Sequence, residues 1–146
     1  MPELAISAEK VAFIIEKARE FDVKEAASDP DSGSNPSDDD EIDVLEDTNS
    51  DPVAAELSGF IRALNEDEQI DLVALIWLGR GDATIEEWDD LRARSAERRT
   101  AYRNPRSETV RYVLGEPLLG DLLAEGLDKF GFSWADELPE SMQEKE

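Results

Sequence analysis

The segment Leu64–Gly81, LNEDEQIDLVALIWLGRG, constrains the fold more than any other, because it joins a helix start, a nearly all-apolar helix and a glycine stop. Asn65 is placed to cap the helix while Glu68, at the third helical position, reaches back to the Asn65 N–H. Gly79 and Gly81 are then expected to end what Leu72–Leu78 began, with Arg80 held between them in a sharp turn. A helix apolar around most of its circumference has to sit inside a protein, so the rest of the chain is expected to wrap it.

The chain has 146 residues, which suits one domain with a modest core. It contains no cysteine and no histidine. That removes disulfides, thiolate or imidazole zinc sites, Ser-His-Asp and Cys-His catalysis and the usual general base near neutral pH. Neither a metal nor any other cofactor is expected. A formal charge of −22 repels phosphate backbones, so direct nucleic-acid binding is disfavoured, as is an anionic membrane surface. Leu72–Leu78 is too short an apolar run to span a bilayer. The N-terminus, MPELAISAEK, has an early glutamate and no apolar leader, so a cytoplasmic location is expected.

The acidity is unevenly placed. Asp29–Asp51 holds ten acidic residues and no basic one, mixed with Pro, Gly, Ser and Asn, and reads as a disordered linker in which Ile42, Val44 and Leu45 are the apolar exceptions. Four regions follow: an N-terminal helix (1–28) packed on the main body, the acidic linker (29–50), a helical core (51–134) and an acidic disordered tail (135–146). In the first, Ser7 caps a helix to about Phe21 with Ile6 and Val11 as a hydrophobic staple. Asp51-Pro52 opens a second helix with Val53, Leu57, Phe60, Ile61 and Leu64 at helical spacing. Thr84 and Glu87 form a capping box for a long helix carrying Trp88, Leu91, Ser95 and Tyr102; Asn104-Pro105 ends it. A short helix from about Ser107 to Leu114 and a last one ending near Phe130-Gly131 complete the count. No strand and no internal repeat is expected. The fold class is all-α: a compact bundle of about six helices around a central buried helix.

Candidate functional residues gather after the central helix. Arg80 could clamp a carboxylate or phosphate, although an arginine past a helix C-terminus more often satisfies carbonyls or pairs with Asp82 or Glu87. Calcium fails on register: with Ile85 at the eighth position of an EF-hand loop, Leu78 falls first, Arg80 third and Ala83 at the glycine position. Glu86, Glu87, Asp89 and Asp90 read as a solvated helix start rather than a catalytic carboxylate pair. Seven arginines, Arg92, Arg94, Arg98, Arg99, Arg103, Arg106 and Arg111, fall in a segment whose only acids are Glu97 and Glu108, a local charge of +5. That basic helix on an acidic chain could fold against its own linker or recruit an acidic partner. The tryptophans and tyrosines read as core or rim packing, and Gly120, Ala124 and Gly126 as close-packing positions within the monomer or across a homodimer.

Four stretches together resemble the bacterial family known as domain of unknown function 3775: ISAEKVAFIIEKAREFD, ELSGFIRALNEDEQIDLVALIWLGRG, the EEW at Glu86–Trp88, and YVLGEPLLGDLLAEGLDKFG. LVALIWLGRG is the most specific of them. The resemblance implies a bacterial, cytosolic, helical domain and brings no activity, ligand or catalytic residue with it; the acidic linker departs from the family pattern.

The expected function is a non-enzymatic protein-binding or regulatory module, with Arg80, Asp82, Trp88, Arg92, Arg99 and Arg103 as its contact residues and Gly79 and Gly81 as its structural turn. Its partner would be a protein rather than nucleic acid or membrane. Two other classes compete: an acidic DNA mimic that inhibits a nucleic-acid-binding protein, and a small hydrolase or lyase working through carboxylates near Arg80.

Overall fold

The computed structural model describes residues 3–27 and 52–138. The acidic linker and the segment beyond Leu138 lie outside the described residues, as does the docking expected of Ile42, Val44 and Leu45. Among the described residues the chain is all-helical: α1 (Ala8–Ala27), α2 (Pro52–Ala63), α3 (Glu66–Arg80), a 3-10 turn (Ile85–Glu87), α4 (Trp88–Arg99), α5 (Pro105–Leu114), α6 (Leu119–Lys129) and α7 (Trp134–Glu137). No strand occurs among them.

Local signals start these helices where the sequence places them. Ser7 Oγ accepts from the Lys10 N–H at 3.1 Å, and Ile6 and Val11 are both fully buried beside it, as a hydrophobic staple requires. At α3 the reciprocal cap is complete: Glu68 N–H donates to Asn65 Oδ1 at 2.7 Å and Asn65 N–H to Glu68 Oε1 at 2.8 Å. Asn104 caps α5 by accepting from the Ser107 N–H at 3.3 Å, with Pro105 at the first helical position, so α5 begins two residues earlier than periodicity implied. The Thr84–Glu87 box caps the 3-10 turn rather than α4 itself, and Tyr102 lies beyond the end of α4, exposed. Residues 134–137 form α7 instead of a frayed tail: Trp134 sits under the Arg19 guanidinium at 5.2 Å, and Leu138 is buried.

The centre is α3, where Ile70, Leu72, Val73, Ala74, Leu75, Ile76 and Leu78 are all buried. Each large aliphatic side chain removed from water there contributes about 1.5–3 kcal/mol. α6 lies along one side of α3 and α4 along another; α1 packs on α2, α6 and α7, and α5 on α2 and α3. α1 and α2 run antiparallel, since the Phe13 and Phe60 rings meet tilted at 4.5 Å between centroids while Lys17 pairs with Glu56 at 3.1 Å, one turn on in α1 and one turn back in α2. Trp88 meets Phe130 edge to face at 4.9 Å, tying the start of α4 to the end of α6.

The two glycines after the apolar run have different jobs, which corrects their assignment to one turn. Gly81 has φ +94°, and the N–H groups of Gly81 and Asp82 donate to Leu78 O and Trp77 O at 3.1 Å each, the two bonds that close a helix through a left-handed residue. Gly79 is still inside α3. A Cβ there would stand 1.9 Å from the Leu122 carbonyl oxygen of α6, and one on Gly126 would stand 2.7 Å from Leu75 O. Each helix therefore presents a bare backbone to the other, which lets α3 and α6 cross closer than side chains allow. Gly126 serves this crossing, whereas Gly120 backs onto α1, where a Cβ would stand 3.2 Å from Arg19 Cγ.

Candidate functional site

Polar side chains buried along a central helix are costly unless satisfied, so they locate where the fold has spent its specificity. The N-terminal half of α3 carries three of them: Glu68, Gln69 and Asp71. Asp71 is fully buried, a carboxylate set inside the otherwise apolar IDLVALIWL stretch. Its Oδ2 accepts from the Ala5 N–H at 2.6 Å and its Oδ1 from Arg92 Nε. One buried carboxylate thus holds both the segment before α1 and the face of α4. Gln69 donates through Nε2 to Ile61 O at 3.0 Å and accepts through Oε1 from Arg99 Nη1 at 3.0 Å; the same Arg99 nitrogen reaches Thr109 Oγ1 at 3.0 Å. Ser95 Oγ donates to Ile70 O at 2.8 Å. Glu68, besides closing its own cap, takes the Lys10 ammonium at 2.6 Å.

Electrostatics follow the same pairing. Burial alone would push the Glu68 carboxyl up, but hydrogen bonds from Lys10 and the Asn65 N–H outweigh it and hold the group below the ordinary glutamate value. Burial lowers the Arg99 pKa, with Arg106 and Arg98 adding to the effect against Glu66 and Glu108. In this seam both Asp71 oxygens and both Gln69 amide atoms are taken, so the arrangement clamps α1, α2, α4 and α5 to α3. Among the described residues no group of three or more carboxylates is placed to hold a metal ion.

The six expected contact residues do not converge. Arg80 is the last residue of α3 and is exposed; its Nε and Nη2 donate to Asp82 Oδ2 at 3.1 and 2.8 Å, and Asp82 followed by Tyr112 raises its pKa. The turn pair therefore satisfies itself. Trp88 is 1% exposed and belongs to the core, so it cannot serve as a contact residue. Arg92 and Arg99 are turned inward onto Asp71, Gln69 and Thr109. Arg103 alone of the six stands exposed with no charged partner among the described residues, in the connection from α4 to α5.

Sequence reasoning assigned Glu68 a cap and passed over Gln69 and Asp71. The available signal was a carboxylate between Ile70 and Leu72 in a helix otherwise apolar, a position where only a paired acid is tolerated. It also missed the aromatic contact nearby. Trp77 Nε1 donates to Tyr112 Oη at 2.9 Å, and the Arg98 guanidinium lies 4.3 Å from the Tyr112 ring while it grips Glu108 with both terminal nitrogens. A separate recess of about 300 Å³, lined by Leu4, Ile6, Ser7, Ala8, Phe130 and Phe132 with Glu3 at its edge, opens between the N-terminal segment and the end of α6.

A family model described as a protein of unknown function (DUF3775) matches residues 54–132, from α2 to the turn after α6. Three of the four stretches that carried the resemblance fall wholly within those bounds, in α2 and α3, at the start of α4, and in α5 and α6; the fourth, in α1, lies outside. No curated protein and no solved structure matches the chain. No described helix is long and apolar enough to cross a membrane.

Proposed function

The chain belongs to the DUF3775 family, and from that premise, which brings no activity with it, we propose that it is a non-enzymatic protein-binding module. One observation carries the proposal: the buried ionisable side chains of the central seam are bonded to groups outside their own helix. Asp71 is held by Arg92 and Ala5, Glu68 by Lys10, and Arg99 by Gln69 and Thr109. Catalytic acids and bases need a free proton site facing substrate. Carboxylates saturated by scaffold donors support a structural role instead. What such a scaffold offers a partner is its surface, in a cytoplasmic setting that the sequence favours.

The test is affinity capture from source-cell lysate with the full chain as bait, followed by calorimetric titration of each purified candidate. A saturable complex with one protein is the expected result. The proposal fails if no candidate binds in titration while the purified chain turns over a small molecule in a manner abolished by Asp71→Asn. Trp88→Ala is unsuitable as a probe, because it would open a cavity in the core.

A further inference from the structure

The arginines of the α4–α5 region divide into those neutralised by carboxylates and those that are not. Arg92 pairs with Asp71 and Arg98 with Glu108. Arg62, Arg94, Arg99, Arg103, Arg106 and Arg111 have no carboxylate partner within ion-pair distance among the described residues. Three of them, Arg62, Arg99 and Arg106, come together. Arg106 Nη1 donates to Leu64 O at 2.5 Å and to Arg62 O, which places the start of α5 over the end of α2. Arg62 Nη1 donates to Ser107 Oγ at 3.0 Å across the same junction. Arg99, whose Nη1 reaches Thr109 of α5, feels both Arg106 and Arg98 electrostatically. With Arg98 beside them and Glu66 and Glu108 as the acids that Arg99 feels, four guanidiniums stand against two carboxylates, a local charge of +2 on a chain whose total is −22.

A cationic corner of this kind is costly to leave unpaired by chance, since its guanidiniums repel one another and are bonded to neutral carbonyl, amide and hydroxyl oxygens that hold them in place without cancelling their charge. Guanidinium is also the cation best shaped to grip carboxylates in pairs. We propose that the corner formed by Arg62, Arg99 and Arg106 is a docking site for a carboxylate-rich peptide segment of a partner protein. It rests on the protein-binding reading and gives that reading a place and a chemistry. A nucleic acid fits less well: its charge is dense and extended, and beyond the corner it would meet the acidic remainder of the chain, whereas a short acidic segment reaches the arginines within the screening length of about 8–10 Å. Asp29–Asp51 carries the same chemistry in the chain itself and would compete for the corner.

The experiment measures fluorescence anisotropy of a labelled octaglutamate peptide against full-length protein at low and physiological salt. It is run in parallel on a full-length variant in which Asp38, Asp39 and Asp40 are changed to Asn, to remove part of the internal competitor. Saturable binding by either protein is expected, weakening at least tenfold as salt rises, and falling at least fivefold in Arg106→Glu and in Arg62→Glu with helical circular dichroism unchanged. Arg19→Glu, on the exposed side of α1, should leave it unaltered. The inference is overturned if neither protein binds saturably, if both corner variants bind like their parent, or if an oligonucleotide of equal charge binds more tightly than the peptide. Because partner capture is scored separately, loss of this site leaves the module reading to stand or fall on its own titration.

Discussion

Gly79→Ala should destabilise the protein by about 2 kcal/mol, although helix propensity alone predicts the opposite. In an open helix the change from Gly to Ala gains about 1 kcal/mol. At Gly79 the new Cβ would lie 1.9 Å from Leu122 O and 2.8 Å from the Leu122 carbonyl carbon, where an ordinary carbon–oxygen contact is about 3.3 Å. The obstacle is backbone, which cannot rotate aside, so α6 has to retreat by more than about 1 Å along the contact that seats Leu123 and Leu127 in the core. Overpacking of this severity falls near the upper end of the usual 1–3 kcal/mol, and subtracting the propensity gain leaves about 2. At about 4 °C per kcal/mol for a domain of this size, Tm should fall by about 8 °C. Urea and thermal unfolding followed by circular dichroism measure both quantities. Gly59→Ala is the matched control: it lies in α2, and nothing stands within 4 Å of its Cβ. It should stabilise by up to about 1 kcal/mol. A Gly79→Ala protein as stable as the parent, or more so, would refute the close crossing of α3 and α6.

Gly81→Ala meets no steric neighbour but forces a side chain to φ +94°, so it should cost about 1–2 kcal/mol by urea unfolding, with Gly81→Asn costing less. Arg92→Met should cost about 2–3 kcal/mol, below the full range for a buried pair because the Arg92 side chain is 33% exposed; it strands the Asp71 carboxylate, and adding Asp71→Asn should recover part of the loss in a double-mutant cycle. Glu68 carries the acid sensitivity. Its pKa is depressed in the folded state, so its contribution is present above the unfolded value of about 4.5 and is lost as pH falls through the folded value. Glu68→Gln should therefore be less stable than its parent at pH 7, and the gap should narrow when both are unfolded at pH 3.5; a constant gap would refute the Lys10 and Asn65 assignment.

The sequence by itself determined the helices, because their signals are local. Ser7, Asn65 and Asn104 cap within a turn of their own positions, and apolar spacing in α2 and α3 marks a buried face without reference to any neighbour. It also carried the family, through stretches whose identity needs no coordinates. The candidate site was legible only as a collection of residue types. Trp88, Arg92 and Arg99 look alike in a sequence whether they face solvent or another helix, and the direction each takes is set by what α3 and α5 place opposite it.

Tertiary structure decided which charges are spent and which remain. Asp71 becomes a clamp because Arg92 and the Ala5 N–H arrive at its two oxygens from positions 21 residues after it and 66 before it. Gly79 and Gly81 carry the same letter two residues apart, yet one is required by a backbone angle and the other by a carbonyl of a helix more than forty residues away. The angle is a property of the local chain and can be read from it. The approach of Leu122 exists only after α3 and α6 have packed, since close contact between distant segments is a consequence of the fold and not of the sequence around either one.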